Sequence, residues 1–168
     1  GRARRAPTAG FRFGLKSAKL EVVNLNRPLL LGHRGASLYA PENTLRAFEL
    51  ALAHACDGFE FDVRLTADGD AVCWHDPILE PAPPGLLPLE YALDFSPPAF
   101  LNIELKVGGV VSRFRDTLSA LTPERTAITS FLPEVVEEVA ACLPHIPAGL
   151  ICRNEQQFAE LHRVNASV

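Results

Sequence analysis

From residue 29 onward, the chain alternates between short apolar runs and longer segments whose apolar residues recur every three or four positions. The short runs predict β-strands at 29–32, 58–65, 71–75, 100–106, 126–130 and 148–152, and the periodic segments predict helices at 44–55, 110–121, 133–142 and 155–164. Strands and helices that alternate in this way indicate an α/β fold, in which a parallel sheet is built with right-handed crossovers.

Local signals refine this pattern at three places. Asp68 and Gly69 are typical of a tight turn, which predicts a hairpin-like connection between the second and third apolar runs. Residues 77–98 contain seven prolines, so we expect a mostly irregular loop there, with one turn near 89–93. Asn43 or Thr44 has the kind of side chain that caps the start of a helix, here the one predicted at 44–55.

Short polar clusters follow the apolar runs at the points where the predicted strands end. Because the carboxyl ends of parallel strands meet at one edge of a sheet, we expect these side chains to converge where α/β proteins place their chemistry. Among these side chains are two histidines, the three acids Glu60, Asp62 and Glu104, and two basic groups. The clusters are His33-Arg34-Gly35, Pro41-Glu42-Asn43-Thr44, Glu60-Phe61-Asp62, His75-Asp76 and Glu104-Leu105-Lys106.

Charge is distributed unevenly along the 168 residues, although the composition is that of an ordinary globular domain. Residues 1–28 hold seven Arg or Lys and one acid, a charge of +6 against a total of −4, so the remainder carries about −10 by subtraction. We therefore expect a basic extension at 1–28, either a targeting segment or a disordered arm, and a single domain at 29–168. The acidic body argues against a nucleic-acid partner and is compatible with a bound cation.

The cysteines and the hydrophobic runs bear on the compartment. The four cysteines show no CxxC spacing, which argues against a zinc site. We expect them to be free thiols packed in the core, a pattern that favours a reducing compartment. No run approaches the ~20 apolar residues of a membrane span, and the basic amino end lacks the apolar stretch of a secretory signal. These observations predict a cytoplasmic protein without a transmembrane segment. They do not predict its oligomeric state.

Three carboxylates are candidates for a metal site. Glu60 and Asp62 are two apart on a predicted strand, so their side chains project from the same face, and Glu104 has the same relation to Lys106 on another strand. Like charges on an inward face are unfavourable unless a cation or a basic partner offsets them. Three oxygen ligands suit Mg²⁺ or Ca²⁺ better than zinc. The alternative is that the acids are strand-end charges paired with Arg64 and Lys106.

Two histidines are candidates for proton transfer. His33 and His75 each precede a charged residue at a strand end, and an imidazole with a pKa near ~6.5 can donate or accept a proton at neutral pH. Together they could serve as base and acid in a displacement at phosphorus, while Arg34 and Lys106 could hold phosphate oxygens. The alternative for each histidine taken alone is an ordinary polar residue in a turn.

The order and spacing of these elements resemble the glycerophosphodiester phosphodiesterase family. The resemblance covers about residues 29–153 and rests on the clusters above, on Leu65-Thr66-Ala67-Asp68-Gly69 and on Thr129-Ser130-Phe131. It implies a TIM (β/α) barrel of the phospholipase C-like phosphodiesterase type. It also implies hydrolysis of a small-molecule glycerophosphodiester to glycerol 3-phosphate and an alcohol with one divalent cation, Mg²⁺ or Ca²⁺.

Site roles follow from the resemblance residue by residue. It implies that Glu60, Asp62 and Glu104 are metal ligands, that His33 accepts and His75 donates a proton, that Arg34 and Lys106 contact the phosphate, and that Glu42 orients neighbouring site residues. The chain departs from the family pattern in its short interval at 77–99 and in having about six of eight βα units, which predicts that the last strands of the barrel are missing. An inactive remnant or regulatory protein, and a phospholipase-type lyase that forms a cyclic phosphate, remain alternatives.

Overall fold

The computed structural model describes residues 27–78, 80–95, 98–155 and 158, which form one sheet with helices packed against it. The strands are β1 (Leu31–His33), β2 (Gly58–Leu65), β3 (Ala71–Cys73), β4 (Leu87–Pro88), β5 (Phe100–Leu105), β6 (Thr126–Ser130) and β7 (Ala148–Leu150). The helices are α1 (Leu45–Ala53), α2 (Leu89–Asp94), α3 (Val110–Arg113), α4 (Arg115–Ser119) and α5 (Pro133–Cys142).

Five of the strands are parallel and lie in the order β1, β2, β5, β6, β7. Helices lie between consecutive parallel strands, so this part of the molecule is built from the predicted βα units. Within the described residues the sheet does not close on itself, because β1 and β7 are not paired with each other.

The third predicted strand is not parallel to its neighbours, although the sequence pattern predicts six strands in one parallel sheet. β3 runs antiparallel to the end of β2, and β4 pairs antiparallel with β3. The physical reason is the turn at Asp68-Gly69, where Gly69 has a φ of +89° and reverses the chain direction. The hairpin prediction is therefore right, whereas counting this strand among the parallel βα units is wrong.

The central parallel strands β2, β5 and β6 are largely buried, and α1 and α5 pack against the sheet. Behind the site, the ring of Phe48 on α1 stacks on Phe59 at a centroid distance of 4.3 Å, and Phe61 lies 5.5 Å from Phe48. Thr44 caps α1 by accepting a hydrogen bond from the Ala47 N–H at 3.3 Å. This apolar layer holds the start of α1 against β2, and so fixes the loop between β1 and α1.

Other predicted elements have different outcomes. The helix predicted at 110–121 is divided into α3 and α4, because Phe114 has a non-helical backbone with φ −114° and ψ 27°. The turn predicted near 89–93 is the short helix α2, and the proline-rich interval also contains β4. The helix predicted at 155–164 and the extension at 1–28 fall almost entirely outside the described residues. Among the described helices, none is long and apolar enough to cross a membrane.

Candidate metal centre and active site

Two adjacent strands bring three carboxylates together. Glu60 and Asp62 lie on the same face of β2, and the parallel register places Glu104 of β5 directly beside Asp62. One oxygen from each of the three groups can be chosen so that all lie within 4.8 Å of one another, and all three residues are buried. Three carboxylates this close repel one another strongly unless positive charge lies between them.

Two cationic side chains supply part of that charge. Lys106 Nζ lies 2.9 Å from Asp62 Oδ1 and also contacts Glu104 Oε1, while Arg34 Nε lies 3.2 Å from Asp62 Oδ2. Two cations do not balance three buried acids. The imbalance falls on Glu60, where burial, followed by the charge of Asp62, raises the pKa of the carboxyl group to about 7.

The donor set fits a hard divalent cation. Glu60 Oε1 and Asp62 Oδ1 are buried and have no hydrogen-bond partner among the described residues, although Asp62 Oδ1 is ion-paired with Lys106. Buried oxygens are rarely left without a partner, so Glu60 Oε1 indicates a ligand or an ion, whereas Asp62 Oδ1 already faces the Lys106 ammonium group. Carboxylate oxygens grouped in this way are the ligands that Mg²⁺ and Ca²⁺ prefer.

A left-handed turn after β1 holds Arg34 over the carboxylates. Arg34 and Gly35 have φ values of +57° and +78°, and this conformation lets the backbone N–H of Arg34 donate to Glu60 Oε2 at 2.9 Å. A Cβ on Gly35 would lie 2.6 Å from the backbone carbon of Ala47 on α1, so the turn needs glycine for space as well as for φ. Glu42 accepts two hydrogen bonds from Arg34 Nη1, at 3.0 and 3.1 Å.

Asn43 has a role in the site that the sequence pattern did not predict, since the only role predicted for its side chain was to cap a helix. Its side chain is buried, donates through Nδ2 to Asp62 Oδ2 at 2.9 Å and accepts from the backbone N–H of Asp62 at 3.1 Å. Its φ of +56° is one that asparagine tolerates better than most residues. The clue in the sequence was its place inside a polar cluster next to Glu42. Asn43 therefore fixes the orientation of Asp62.

The two candidate histidines line one cavity of about 330 Å³ together with Glu60 and Glu104. His33 Nε2 lies 3.8 Å from Glu60 Oε2, whereas His75 Nδ1 lies 2.8 Å from Asp76 Oδ1. The contact with Asp76 engages Nδ1 of His75 and leaves its Nε2 as the nitrogen available to a substrate. The imidazole rings thus lie beside the carboxylates at the same end of the sheet.

The other described histidines have contacts elsewhere. The His54 ring packs 4.8 Å from the ring of Tyr39, and His145 Nε2 lies 3.1 Å from the carbonyl oxygen of Ser119. His54 and His145 do not line the cavity that holds the carboxylates. They are therefore suitable controls for the two site histidines.

The cavity has a further wall, formed by Phe131 and Arg153. The Arg153 guanidinium, beyond the end of β7, lies 4.0 Å from the ring centroid of Phe131, and Lys106 Nζ lies 5.5 Å from the same centroid. Cations over an aromatic face are attracted by its negative charge density. Phe131 belongs to the Thr129-Ser130-Phe131 element of the resemblance, whereas for Arg153 the sequence signal is its position just after β7.

Comparison with known proteins gives the geometry a family context. Residues 33–86 match the sequence model described as the "Glycerophosphoryl diester phosphodiesterase family". A relative from Mycobacterium tuberculosis, named "Probable glycerophosphodiester phosphodiesterase 1", is 57% identical over 49 residues, or 29% of this chain and 18% of that protein. The alignment therefore spans less than a fifth of that relative's length.

Solved structures resemble a larger part of the chain. A glycerophosphodiester phosphodiesterase from Thermotoga maritima matches with a TM-score of 0.68 at 23% identity, over 83% of this chain and 68% of that one. A phosphodiesterase from Oleispira antarctica, in complex with the product sn-glycerol-3-phosphate, matches with a TM-score of 0.69 at 23% identity, over 83% and 72%. These likenesses confirm the predicted fold class, a partial TIM barrel.

Proposed function

We propose that the chain, which matches the glycerophosphoryl diester phosphodiesterase family over residues 33–86, hydrolyses glycerophosphodiesters to glycerol 3-phosphate and an alcohol with one divalent cation. The observation that carries the proposal is the group of three buried carboxylates, with oxygens within 4.8 Å, in a cavity that two histidines also line. Carboxylates, cations and imidazoles converging in one cavity suit phosphoryl transfer, in which positioning and charge stabilisation dominate.

Glu60, Asp62 and Glu104 are the proposed ligands of the cation, Mg²⁺ or Ca²⁺. When bound, the ion neutralises charge that develops on the phosphoryl oxygens. Hydrogen bonds restrict the conformations of the ligand side chains before the cation binds. Asn43 holds Asp62 through two hydrogen bonds, and the N–H of Arg34 holds one oxygen of Glu60. Ligands held in this way need little rearrangement when the cation binds.

The two histidines divide the proton transfers in the proposed reaction. His33 accepts a proton from water as the water oxygen forms its bond to phosphorus. His75 donates a proton to the alcohol oxygen as the bond from phosphorus to that oxygen breaks. Asp76 holds the His75 ring through Nδ1, which directs Nε2 toward the alcohol oxygen.

Arg34 and Lys106 are the proposed phosphate contacts. Their cationic groups now face Asp62 and Glu104, but both side chains also line the cavity. A divalent cation that neutralises the carboxylates would release part of their hydrogen-bonding capacity for phosphate oxygens. Glu42, which accepts two bonds from Arg34, keeps the guanidinium at the mouth of the site.

The activity is tested with glycerophosphocholine. Incubation of the 168-residue chain with Mg²⁺ or Ca²⁺ should release glycerol 3-phosphate, and EDTA should abolish the release. Chromatography of the products separates the open monoester, which hydrolysis forms, from the cyclic phosphate, which a lyase forms. The same assay therefore distinguishes the two reactions. A folded chain that binds the cation and releases neither product would overturn the proposed activity in favour of the inactive protein.

Histidine variants test the division of roles. His75→Ala should lower kcat by ~10²–10⁴-fold because positioned proton transfer is lost. His54→Ala is the matched control, since its ring packs against Tyr39 outside the cavity. Equal losses in the two variants would mean that the effect is general destabilisation and that His75 has no part in the chemistry.

A further inference from the structure

The cleft at the carboxyl ends of the strands has two lobes. The metal lobe is the cavity of about 330 Å³ that His33 and Glu60 line, and beside it lies a second cavity of about 390 Å³ that Arg64 and Ser130 line. We call the second cavity the arginine lobe. His75, Glu104, Lys106, Phe131 and Arg153 line both cavities. The boundary between the lobes is therefore the surface that presents the proposed proton donor, His75.

The reaction geometry determines which part of a substrate enters the arginine lobe. In a displacement at phosphorus, the attacking and leaving oxygens lie roughly in line on opposite sides of the phosphorus atom. His33, the proposed acceptor for the attacking water, lines only the metal lobe, whereas His75 lies at the boundary. A phosphorus atom near the carboxylates therefore directs the leaving alcohol past His75 into the arginine lobe.

The side chains that line the arginine lobe include three cations, of two arginines and one lysine, and two acids. Its acidic groups are engaged, since Asp76 contacts His75 Nδ1 and Glu104 contacts Lys106 Nζ. The cations Arg64 and Arg153 add positive charge to the same lobe. Arg64 projects from the same face of β2 as Asp62, and its Nε donates to the carbonyl oxygen of His75 at 2.7 Å. That bond holds its guanidinium beside the residue that would protonate the leaving group.

Phe131 does not offer a binding face for a cationic head group. Quaternary ammonium ions are recognised by open aromatic faces. Here the Arg153 guanidinium lies 4.0 Å from the centroid of Phe131, where such a ligand would sit, and Lys106 lies on the same ring. A trimethylammonium group in this lobe would displace one cation and meet others.

We propose that the arginine lobe is a leaving-group site selective for alcohols that carry an anionic group, with Arg153 as the specificity-determining residue. This proposal rests on the proposed phosphodiesterase activity, which it makes more specific. A phosphorylated polyol is a suitable leaving alcohol, because its phosphate can take the forked hydrogen bonds of a guanidinium. Choline is an unfavourable leaving alcohol, because the cations of the lobe repel its positive charge and the Arg153 guanidinium covers the face of Phe131 that could bind it.

The test compares glycerophosphoinositol 4-phosphate with glycerophosphocholine in the presence of Mg²⁺. The wild-type chain should hydrolyse the phosphorylated substrate with the larger kcat/KM. Arg153→Gln should reduce that preference by about two- to fivefold, as expected for the loss of one exposed charge interaction, and Arg153→Glu should reverse it. Arg153→Lys keeps the charge and should keep most of the preference. Arg46→Glu is the matched control, because Arg46 lines neither lobe.

A binding measurement separates failure of this proposal from failure of the activity. Inositol 4-phosphate and choline are titrated into the chain in EDTA, where no catalysis is needed and the cation cannot assist binding. Binding of inositol 4-phosphate that Arg153→Glu abolishes would support the proposal even if no substrate were hydrolysed. Tighter binding of choline, or a substrate preference that Arg153→Glu leaves unchanged, would overturn it while leaving the phosphodiesterase activity standing.

Discussion

The substitution Glu60→Gln should change how the stability of the chain depends on pH. Glu60 is buried beside Asp62 and Glu104, and its pKa rises from 4.5 to about 7 in the folded protein. Between these two pH values the folded chain keeps a proton that the unfolded chain releases. Folding stability due to this group is therefore fully present below pH ~4.5 and is lost as the pH rises through about 7.

The size of the effect follows from the shift. At about 1.4 kcal/mol for each pKa unit, the rise from 4.5 to about 7 corresponds to a loss of up to about 3 kcal/mol in the free energy of unfolding. Glutamine has nearly the same shape and can still accept the hydrogen bond from the Arg34 N–H. It has no ionisation, so this part of the pH dependence should disappear in the variant.

Urea unfolding in EDTA at several pH values from 5 to 9 measures the effect. The wild-type chain should lose more unfolding free energy across this range than Glu60→Gln does. Glu137→Gln is the matched control, because Glu137 is exposed on α5. At pH 8, Mg²⁺ or Ca²⁺ at 100 times its dissociation constant should restore about 2.7 kcal/mol to the wild type and less to the variant. Identical pH profiles for wild type and Glu60→Gln would refute the electrostatic reasoning.

Two further substitutions test how the site is held. Gly35→Ala should destabilise the chain by about 1–3 kcal/mol more than Gly85→Ala in urea unfolding, because both glycines have positive φ but only Gly35 is packed against α1; equal losses would contradict this. Asn43→Ala should cost about 1–3 kcal/mol by leaving the buried N–H of Asp62 without a partner, and should also weaken cation binding in calorimetry. Thr44→Ala, which removes the cap of α1 and the hydrogen bond to the carbonyl oxygen of Pro41 but no bond to a carboxylate, should cost about 1 kcal/mol and leave cation affinity unchanged.

The parts of the site that could be predicted from the sequence are those set by local geometry. The two-residue spacing of Glu60 and Asp62 places them on one face of any strand, and that relation holds in β2. The position of Glu104 beside Asp62 depends on the register between β2 and β5, which cannot be predicted from either strand alone. The resemblance to a family supplied that information where the local pattern did not.

The parts that could not be predicted depend on loops and on tertiary contacts. Asn43 is a residue type that often caps helices. Its hydrogen bonds to Asp62 form only because the loop after β1 folds back over β2. The antiparallel course of β3 was indicated by the turn at Gly69, but a strand's place in the sheet is a tertiary property. The break at Phe114 interrupts an apolar pattern that is otherwise continuous, so periodicity alone predicts one helix.

The central claim is that Glu60, Asp62 and Glu104 together bind one divalent cation. The measurement that tests it most directly is calorimetric titration of the EDTA-treated and dialysed chain with Mg²⁺ and, separately, with Ca²⁺. We expect one binding site for at least one of these ions, and loss of that binding in both Glu60→Gln and Glu104→Gln. Affinity unchanged in the two variants, or no binding of either ion by the folded wild-type chain, would contradict it.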